Sequence, residues 1–282
     1  MKALTDRQHW DSIYDSGAVT DAPVRPGPLR KALKRLLGPT VLEYMRDYRD
    51  YLLWDVIYPK VLLAKKGGKV LEVGSAPGRH LIRLREVFGF EPYGVEYSPN
   101  GAELNRRLFG QHGISSGNVI EGDFFSPQFQ SQYKSRFDVV VSHGFIEHFT
   151  DVEGVVAKHL NVLAPGGRLV VTIPNLRGIN YFFARVFHKQ LIPLHNLSIM
   201  RQEEFCRLFS RHNVAPLLCG YYGTFSFGIF NVPPESRRRY LLMVCDKVQR
   251  FLNAAFRLLF RARGAESRFF SPYLIFAGVK EP

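Results

Sequence analysis

The stretch Val70-Leu71-Glu72-Val73-Gly74-Ser75-Ala76-Pro77-Gly78 decides the fold. Its first four residues form a short, largely apolar run of the kind that makes a buried strand, and the run passes straight into a tight turn. Gly74 and Gly78 carry no side chain, so the backbone there can approach a ligand and take angles other residues avoid. A helix that opens at this point presents free N–H groups in its first turn. A dinucleotide-binding turn has the spacing G-x-G-x-x-G, whereas Ala76 stands at the middle glycine position and Arg79 follows Gly78. That spacing argues against a nicotinamide cofactor.

Outward from the turn, β-branched runs alternate with helical segments. Strands are predicted at 69–73, 93–96, 118–121, 137–142 and 168–173, with helices near 78–87, 100–111 and 152–163. This alternation is the signature of a doubly wound α/β sheet. Runs at 215–222 and 273–279 read as two further strands, giving a seven-stranded, mostly parallel sheet of Rossmann-like type. Residues 1–66 read as an N-terminal helical appendage. Leu29, Leu33, Leu36 and Leu37 mark one helix in it, and Tyr44, Tyr48, Tyr51 and Leu52 a second, with Pro23, Pro26, Pro28 and Pro39 as punctuation. The main domain then covers 67–282, with a basic helical insertion at about 234–263 before the last strand.

A chain of 282 residues with 46% hydrophobic and 13% aromatic content can bury a sizeable core. Cys206, Cys219 and Cys245 lack the paired short spacings of zinc sites or disulfide frameworks and read as reduced thiols. No segment has signal-peptide character, and no apolar run approaches the roughly 20 residues of a membrane span, so a cytoplasmic protein is expected. The net charge of +13 is concentrated rather than spread. Arg25, Arg30, Lys31, Lys34 and Arg35 lie in an acid-free stretch, and between Glu235 and Arg263 eight bases face two acids.

The form E-x-G-x-x-x-G at Glu72, Gly74 and Gly78 resembles the first motif of class I S-adenosylmethionine-dependent methyltransferases. In that family the turn, here with Ser75 and Ala76, lies beneath the amino-acid part of the cofactor, and the acid at the position of Glu72 organises the methionine end. Glu96, closing Tyr93-Gly94-Val95-Glu96, falls where a carboxylate accepts both ribose hydroxyls, with Tyr97 beside it. Asp123 and Phe124, in Glu121-Gly122-Asp123-Phe124, look like the adenine-binding segment. Ser142 closes the fourth strand, and Leu163-Ala164-Pro165-Gly166-Gly167-Arg168 resembles the family's structural turn into the fifth. His9-Trp10-Asp11-Ser12-Ile13-Tyr14 resembles the segment that covers the cofactor in many relatives, so Trp10 and Tyr14 are candidate lid residues. An aromatic pair at i, i+4 is equally a packed helix face. The resemblance implies S-adenosylmethionine as cofactor.

Methyl transfer from a sulfonium is an in-line displacement, and orientation alone contributes up to ~7–11 kcal/mol. For a hydroxyl acceptor, a base adds about 100-fold or more. Candidates lie in Ser142-His143-Gly144-Phe145-Ile146-Glu147-His148-Phe149, after the fourth strand. His143 and His148 are the candidate catalytic bases. Glu147, Asn175, Tyr181 and His195 are candidate substrate contacts, with helix shaping the alternative for Glu147 and backbone hydrogen bonding for Asn175 and His195. The segment is similar to that of small-molecule and quinone-pathway O-methyltransferases. Some of these add a metal-binding carboxylate three residues before the Glu at 147; Gly144 stands there, and no metal is expected.

Leu241, Val244, Val248, Phe251, Leu252, Ala255, Leu258 and Leu259 recur at helical spacing among Lys247, Arg250, Arg257 and Arg261. A core-facing helix with a solvated basic face is the expectation, and peripheral contact with an anionic membrane the alternative. With the aromatics Tyr181, Phe182, Phe183, Phe187 and Phe230, these features point to O-methylation of an apolar, aromatic or lipid-linked small molecule. The rival readings are an RNA methyltransferase using the basic surface and a cofactor-binding pseudoenzyme acting as a scaffold subunit. No nucleic-acid-binding module is recognisable, and the fourth strand does not lead into an Asn-Pro-Pro-Tyr type sequence.

Overall fold

Strand β1 (Lys69–Val73) lies in the interior of the sheet, and its Val70, Leu71 and Val73 are fully buried. Such a run, apolar on both faces, needs layers above and below it. The computed structural model describes residues 2–15, 43–63, 65–230, 232, 236 and 238–282. The predicted helix at Leu29–Leu37, its basic residues and Arg237 lie outside them.

The other strands are β2 (Glu91–Glu96), β3 (Val119–Glu121), β4 (Phe137–His143), β5 (Leu163–Pro174), β6 (Val214–Tyr222) and β7 (Tyr273–Lys280). They form one seven-stranded sheet in the order β3-β2-β1-β4-β5-β7-β6. The first five are parallel, and β7 runs antiparallel to both neighbours. The predicted doubly wound, mostly parallel sheet is therefore present. Strand order reverses between β1 and β4, and the crevice at the carboxyl ends there is the natural ligand site.

Alternation along the strands divides the core in two. Leu71, Val73, Val140, Leu169 and Val171 face one layer, and Val70, Val139, Val141, Val170 and Ile275 face the other. The helices of the sheet domain are α4 (Arg79–Phe88), α5 (Pro99–Gln111), α6 (Pro127–Gln132), α7 (Val152–Val162), α8 (Ile179–His188), α9 (Gln202–Ser210) and α10 (Arg238–Phe260); α1 to α3 precede them. Ser98, Ser126 and Asp151 cap α5, α6 and α7, each accepting a hydrogen bond from a backbone N–H three residues on.

Before β1 come α1 (Arg7–Asp15) and two short helices, α2 (Tyr48–Tyr51) and α3 (Tyr58–Val61), joined by a π-helical turn at Leu52–Ile57. Trp54 and Tyr58 pack in the same apolar layer as Leu81 and Val170.

Three expectations need correction. The strand predicted at 168–173 starts at Leu163, and the Pro165-Gly166-Gly167 turn becomes an irregularity within β5, whose pairing with β4 shifts register between Phe137 and Val139. The three thiols are not all free. Cys206 on α9 and Cys219 on β6 form a disulfide with Cα atoms 6.0 Å apart, leaving Cys245 free. No short motif announces that bridge, because packing of α9 beside β6 is what brings the two together. The third correction concerns α10. Of its predicted core-facing stripe, Leu241, Val244, Val248, Phe251, Leu258 and Leu259 are exposed. The helix instead turns Gln249 and Asn253 inward. Gln249 Oε1 accepts from Phe227 N at 3.0 Å, and its Nε2 donates to Phe225 O at 3.1 Å and Asn253 Oδ1 at 2.9 Å. The backbone polar groups of the 225–229 turn need partners, and the polar face of α10 supplies them.

Candidate active site

The turn after β1 is held from β2: Gly74 N and Ser75 N donate to Val95 O at 3.0 and 3.3 Å. Gly74 has φ +71°, and a Cβ there would stand 3.0 Å from the Phe145 ring. Gly78 has φ +93°, and a Cβ would overlap Asn105 Oδ1 at 2.1 Å. Gly78 therefore serves close packing against α5. Ser75 serves the same packing, buried and accepting from Asn105 Nδ2 at 2.7 Å.

Glu96 ends β2 and is 5% exposed. Its carboxylate accepts Ala76 N at 3.1 Å and Ser98 N at 3.0 Å, tying the turn after β1 to the start of α5. Burial raises its pKa, against the backbone N–H bonds that pull it down. Helix α1 crosses this region. Ser98 Oγ donates to Asp11 Oδ1 at 2.5 Å, and Asn100 Nδ2 to Asp15 Oδ1 at 2.8 Å. Gly101 leaves room for Tyr14, whose ring would lie 2.7 Å from a Cβ there. Burial, with Glu96 and Glu72 nearby, drives the Tyr14 phenol well above its ordinary pKa.

Beneath α1 is a cavity of about 530 Å³. Gly74, Ala76, Glu96, Tyr97, Asp123, Phe124, His143, Trp10 and Tyr14 all line it, so residues predicted from five separated segments meet around one space. Asp123 Oδ1 accepts Phe125 N at 2.8 Å. Trp10 Nε1 donates to Thr5 Oγ1 at 3.2 Å, and its ring meets His148 edge-on at 5.1 Å. Phe125, Phe145 and Phe149 line the cavity too and pack on one another. Sequence reading did not single these rings out; the i, i+4 pair Phe145 and Phe149 after β4 was the available signal.

His143 closes β4 at the cavity wall. Its Nε2 lies 3.0 Å from Tyr58 OH and its Nδ1 2.9 Å from Thr172 Oγ1. Burial, with His80 and Arg49 nearby, holds its pKa well below the ordinary histidine value, so the ring is neutral. Behind it, His80 Nδ1 pairs with Glu72 Oε1 at 3.1 Å, and the His80 and His143 rings lie 4.3 Å apart. Burial lowers His80, but the hydrogen bond and charge of Glu72 outweigh it, and the net shift is upward. Glu72 Oε2 is buried without a hydrogen-bond partner among the described residues. Tyr58, His80 and Thr172 come from an appended helix, the start of α4 and β5, and no local spacing relates them to His143.

The remaining predicted residues stand apart from the cavity lining. Ser142 is fully buried with its hydroxyl unpaired. Asn175 donates to Ser271 O at 2.8 Å and accepts Arg177 N at 3.2 Å, tying the end of β5 to the segment that leads into β7. Tyr181 lies on the exposed side of α8. Glu147, His148 and His195 cluster behind Phe149. His148 Nδ1–H donates to Leu194 O at 2.8 Å and His195 Nδ1–H to Leu191 O at 2.7 Å. Both rings are held neutral by burial, His148 down to about 3. Their donor atoms and a Glu147 carboxylate oxygen lie within 4.8 Å of one another, as do those of Glu72, His80 and His143. These are the two groups among the described residues with the atom types to hold a cation.

Glu147 is fully buried with neither oxygen hydrogen-bonded among the described residues, and burial raises its pKa to about 8. A carboxyl raised in the fold stabilises below its unfolded pKa and loses that contribution as pH rises toward about 8. Glu147→Gln, neutral throughout, is thus expected to match the parent's Tm near pH 5 and exceed it at pH 8 by about 5 °C. Thermal scans across that window check this; a constant difference would mean the carboxyl is not buried as neutral acid.

A glycine turn at the switch point of a doubly wound sheet, a buried acid ending β2 and an acid–aromatic pair after β3 around one covered cavity define a class I S-adenosylmethionine-dependent methyltransferase. The chain belongs to the methyltransferase domain family, whose model matches residues 42–220. It is 26% identical over 129 residues to aklanonic acid methyltransferase DauC of Streptomyces sp. (strain C5), covering 45% of this chain and 57% of that one. It is 31% identical over 108 residues to the Oryza sativa subsp. japonica protein named Probable tocopherol O-methyltransferase, chloroplastic, covering 38% and 29%. The chain thus spans less than two thirds of either relative. The crystal structure of the cyclase SpnF superposes with a TM-score of 0.59 at 13% identity, covering 100% of this chain and 97% of that one, which is a likeness of fold.

Proposed function

We propose that the chain transfers the methyl group of S-adenosylmethionine to an oxygen of an apolar, aromatic or lipid-linked small molecule, with His143 as the base. The observation that carries this reading is a neutral imidazole at the wall of a cavity also lined by phenylalanines, held between two hydroxyls. The cavity size lies within the roughly 300–1,000 Å³ of small-molecule sites. The cofactor supplies a methyl carbon activated by a sulfonium. Glu96 accepts the ribose hydroxyls with lone pairs its backbone bonds leave free. Asp123 and Phe124 receive the adenine, Glu72 braced by His80 faces the methionine end, and Gly74 and Ala76 let the backbone come close. Trp10 and Tyr14 close the site from above, which excludes water from the displacement. His143 takes the acceptor's proton at the ring nitrogen from which the acceptor hydroxyl displaces Thr172, while Tyr58 holds the other nitrogen and fixes the ring. The relative named as a probable tocopherol O-methyltransferase supports oxygen as the acceptor atom.

Incubation with methyl-labelled cofactor and separate pools of small metabolites, lipid extract and RNA tests this. Label is expected in an extractable small molecule or lipid, as an alkali-sensitive ester or a stable ether. Label confined to RNA, or tight cofactor binding without transfer to any pool, contradicts it.

A further inference from the structure

Among the described residues nothing covers the apolar stripe of α10, and the way the helix is fastened keeps it turned outward. Leu241, Val244, Val248, Phe251 and Leu258 recur every three, four or seven residues, and so share one face. Phe251 is 71% and Leu258 63% exposed, far beyond a scatter of single surface apolars. Rolling the helix to bury them would break the Gln249 bonds to the 225–229 turn, which Asn253 steadies by accepting from Gln249, and would separate Phe256 from Tyr48, whose rings lie 6.0 Å apart. The neighbouring helix α8 also exposes Phe182.

Charge says what covers this face. Lys247, Arg250 and Arg261 are exposed and follow the stripe along one flank. Arg257, seven residues after Arg250 and farther round toward the packed side, is occupied by Glu43 and the Tyr51 ring. Asp246 is the one acid on the helix; it lies away from the stripe and beside Arg250, leaving Lys247 and Arg261 to outweigh it along the flank. No described helix is long and apolar enough to cross a membrane. At 23 residues α10 is roughly 35 Å long, ample for a helix lying in a bilayer surface.

We propose that α10 docks the protein on an anionic lipid surface, its stripe entering the acyl boundary and Lys247, Arg250 and Arg261 meeting the headgroup phosphates. The apolar face supplies insertion and the basic flank supplies lipid selectivity, so both are required. This docking stands whether or not the methyl acceptor is itself a lipid.

The test is co-sedimentation of the full chain with vesicles of phosphatidylcholine, alone or mixed with phosphatidylglycerol. Partition onto the mixed vesicles is expected, weakening as salt is raised. Val248→Glu with Phe251→Glu is expected to lower partition at least about tenfold, and Lys247→Gln with Arg250→Gln and Arg261→Gln by about 100-fold. Circular dichroism and cofactor affinity should be unchanged in both, which separates this from misfolding and from failure of the methyl-transfer reading. In Phe251→Trp, brominated acyl chains should quench the new emission. The proposal is overturned by absence of binding to anionic vesicles, by variants that bind like the parent, or by a soluble dimer that Phe251→Glu dissociates, which would make the face a contact between copies.

Discussion

Replacing Glu96 by alanine is expected to weaken S-adenosylmethionine binding by about 100-fold or more, because two charge-assisted hydrogen bonds of roughly 1.5–3 kcal/mol each are lost. Isothermal titration calorimetry measures this directly. The carboxylate also receives Ala76 N and Ser98 N, so its removal loosens the turn that the cofactor rests on. The fold survives, since Gly74 N still donates to Val95 O and Ser98 still caps α5. Glu96→Gln keeps one acceptor and should recover part of the loss. An unchanged affinity in Glu96→Ala would remove the ribose assignment.

The second large effect falls on turnover. His143→Phe is expected to lower kcat by about 100-fold to 1,000-fold, while the cofactor Kd stays within about threefold. Tyr58→Phe, which removes one of the two hydroxyls holding the ring, should cost about tenfold. The sign of the pH dependence follows from burial. His143 titrates well below the ordinary histidine value, so it is already a free base at pH 7, and the acid limb of kcat should lie below about pH 6.5. If the residue only shaped the acceptor pocket, KM would rise instead and the acid limb would persist in His143→Phe.

The sheet was legible because its strands are short apolar runs set off by glycine turns and capped helices, features that act within a few residues. The cofactor end of the cavity was legible for the same reason: Gly74, Glu96, Asp123 and His143 all sit at strand ends, which the doubly wound topology brings to one edge. What escaped depends on contacts distant in sequence. Tyr58 reaches His143 across 85 positions, and Thr172 across 29. Cys206 and Cys219 meet only because α9 packs beside β6. Periodicity identified the apolar stripe of α10 correctly but could not say which face is covered. Gln249, steadied by Asn253, answers to the turn at 225–229 rather than to hydrophobic burial. Asn175 and Ser75, plausible ligands by position, are already occupied by backbone and Asn105.

The central claim is that the cavity beneath α1 holds the methyl donor with its reactive end toward His143. A crystal structure of the complex with S-adenosylhomocysteine tests it most directly. The expected result places the ribose hydroxyls within hydrogen-bond distance of Glu96, the adenine beside Asp123 and Phe124, and the sulfur facing the His143 wall. Adenosine bound elsewhere, or a sulfur directed away from His143, would contradict the account.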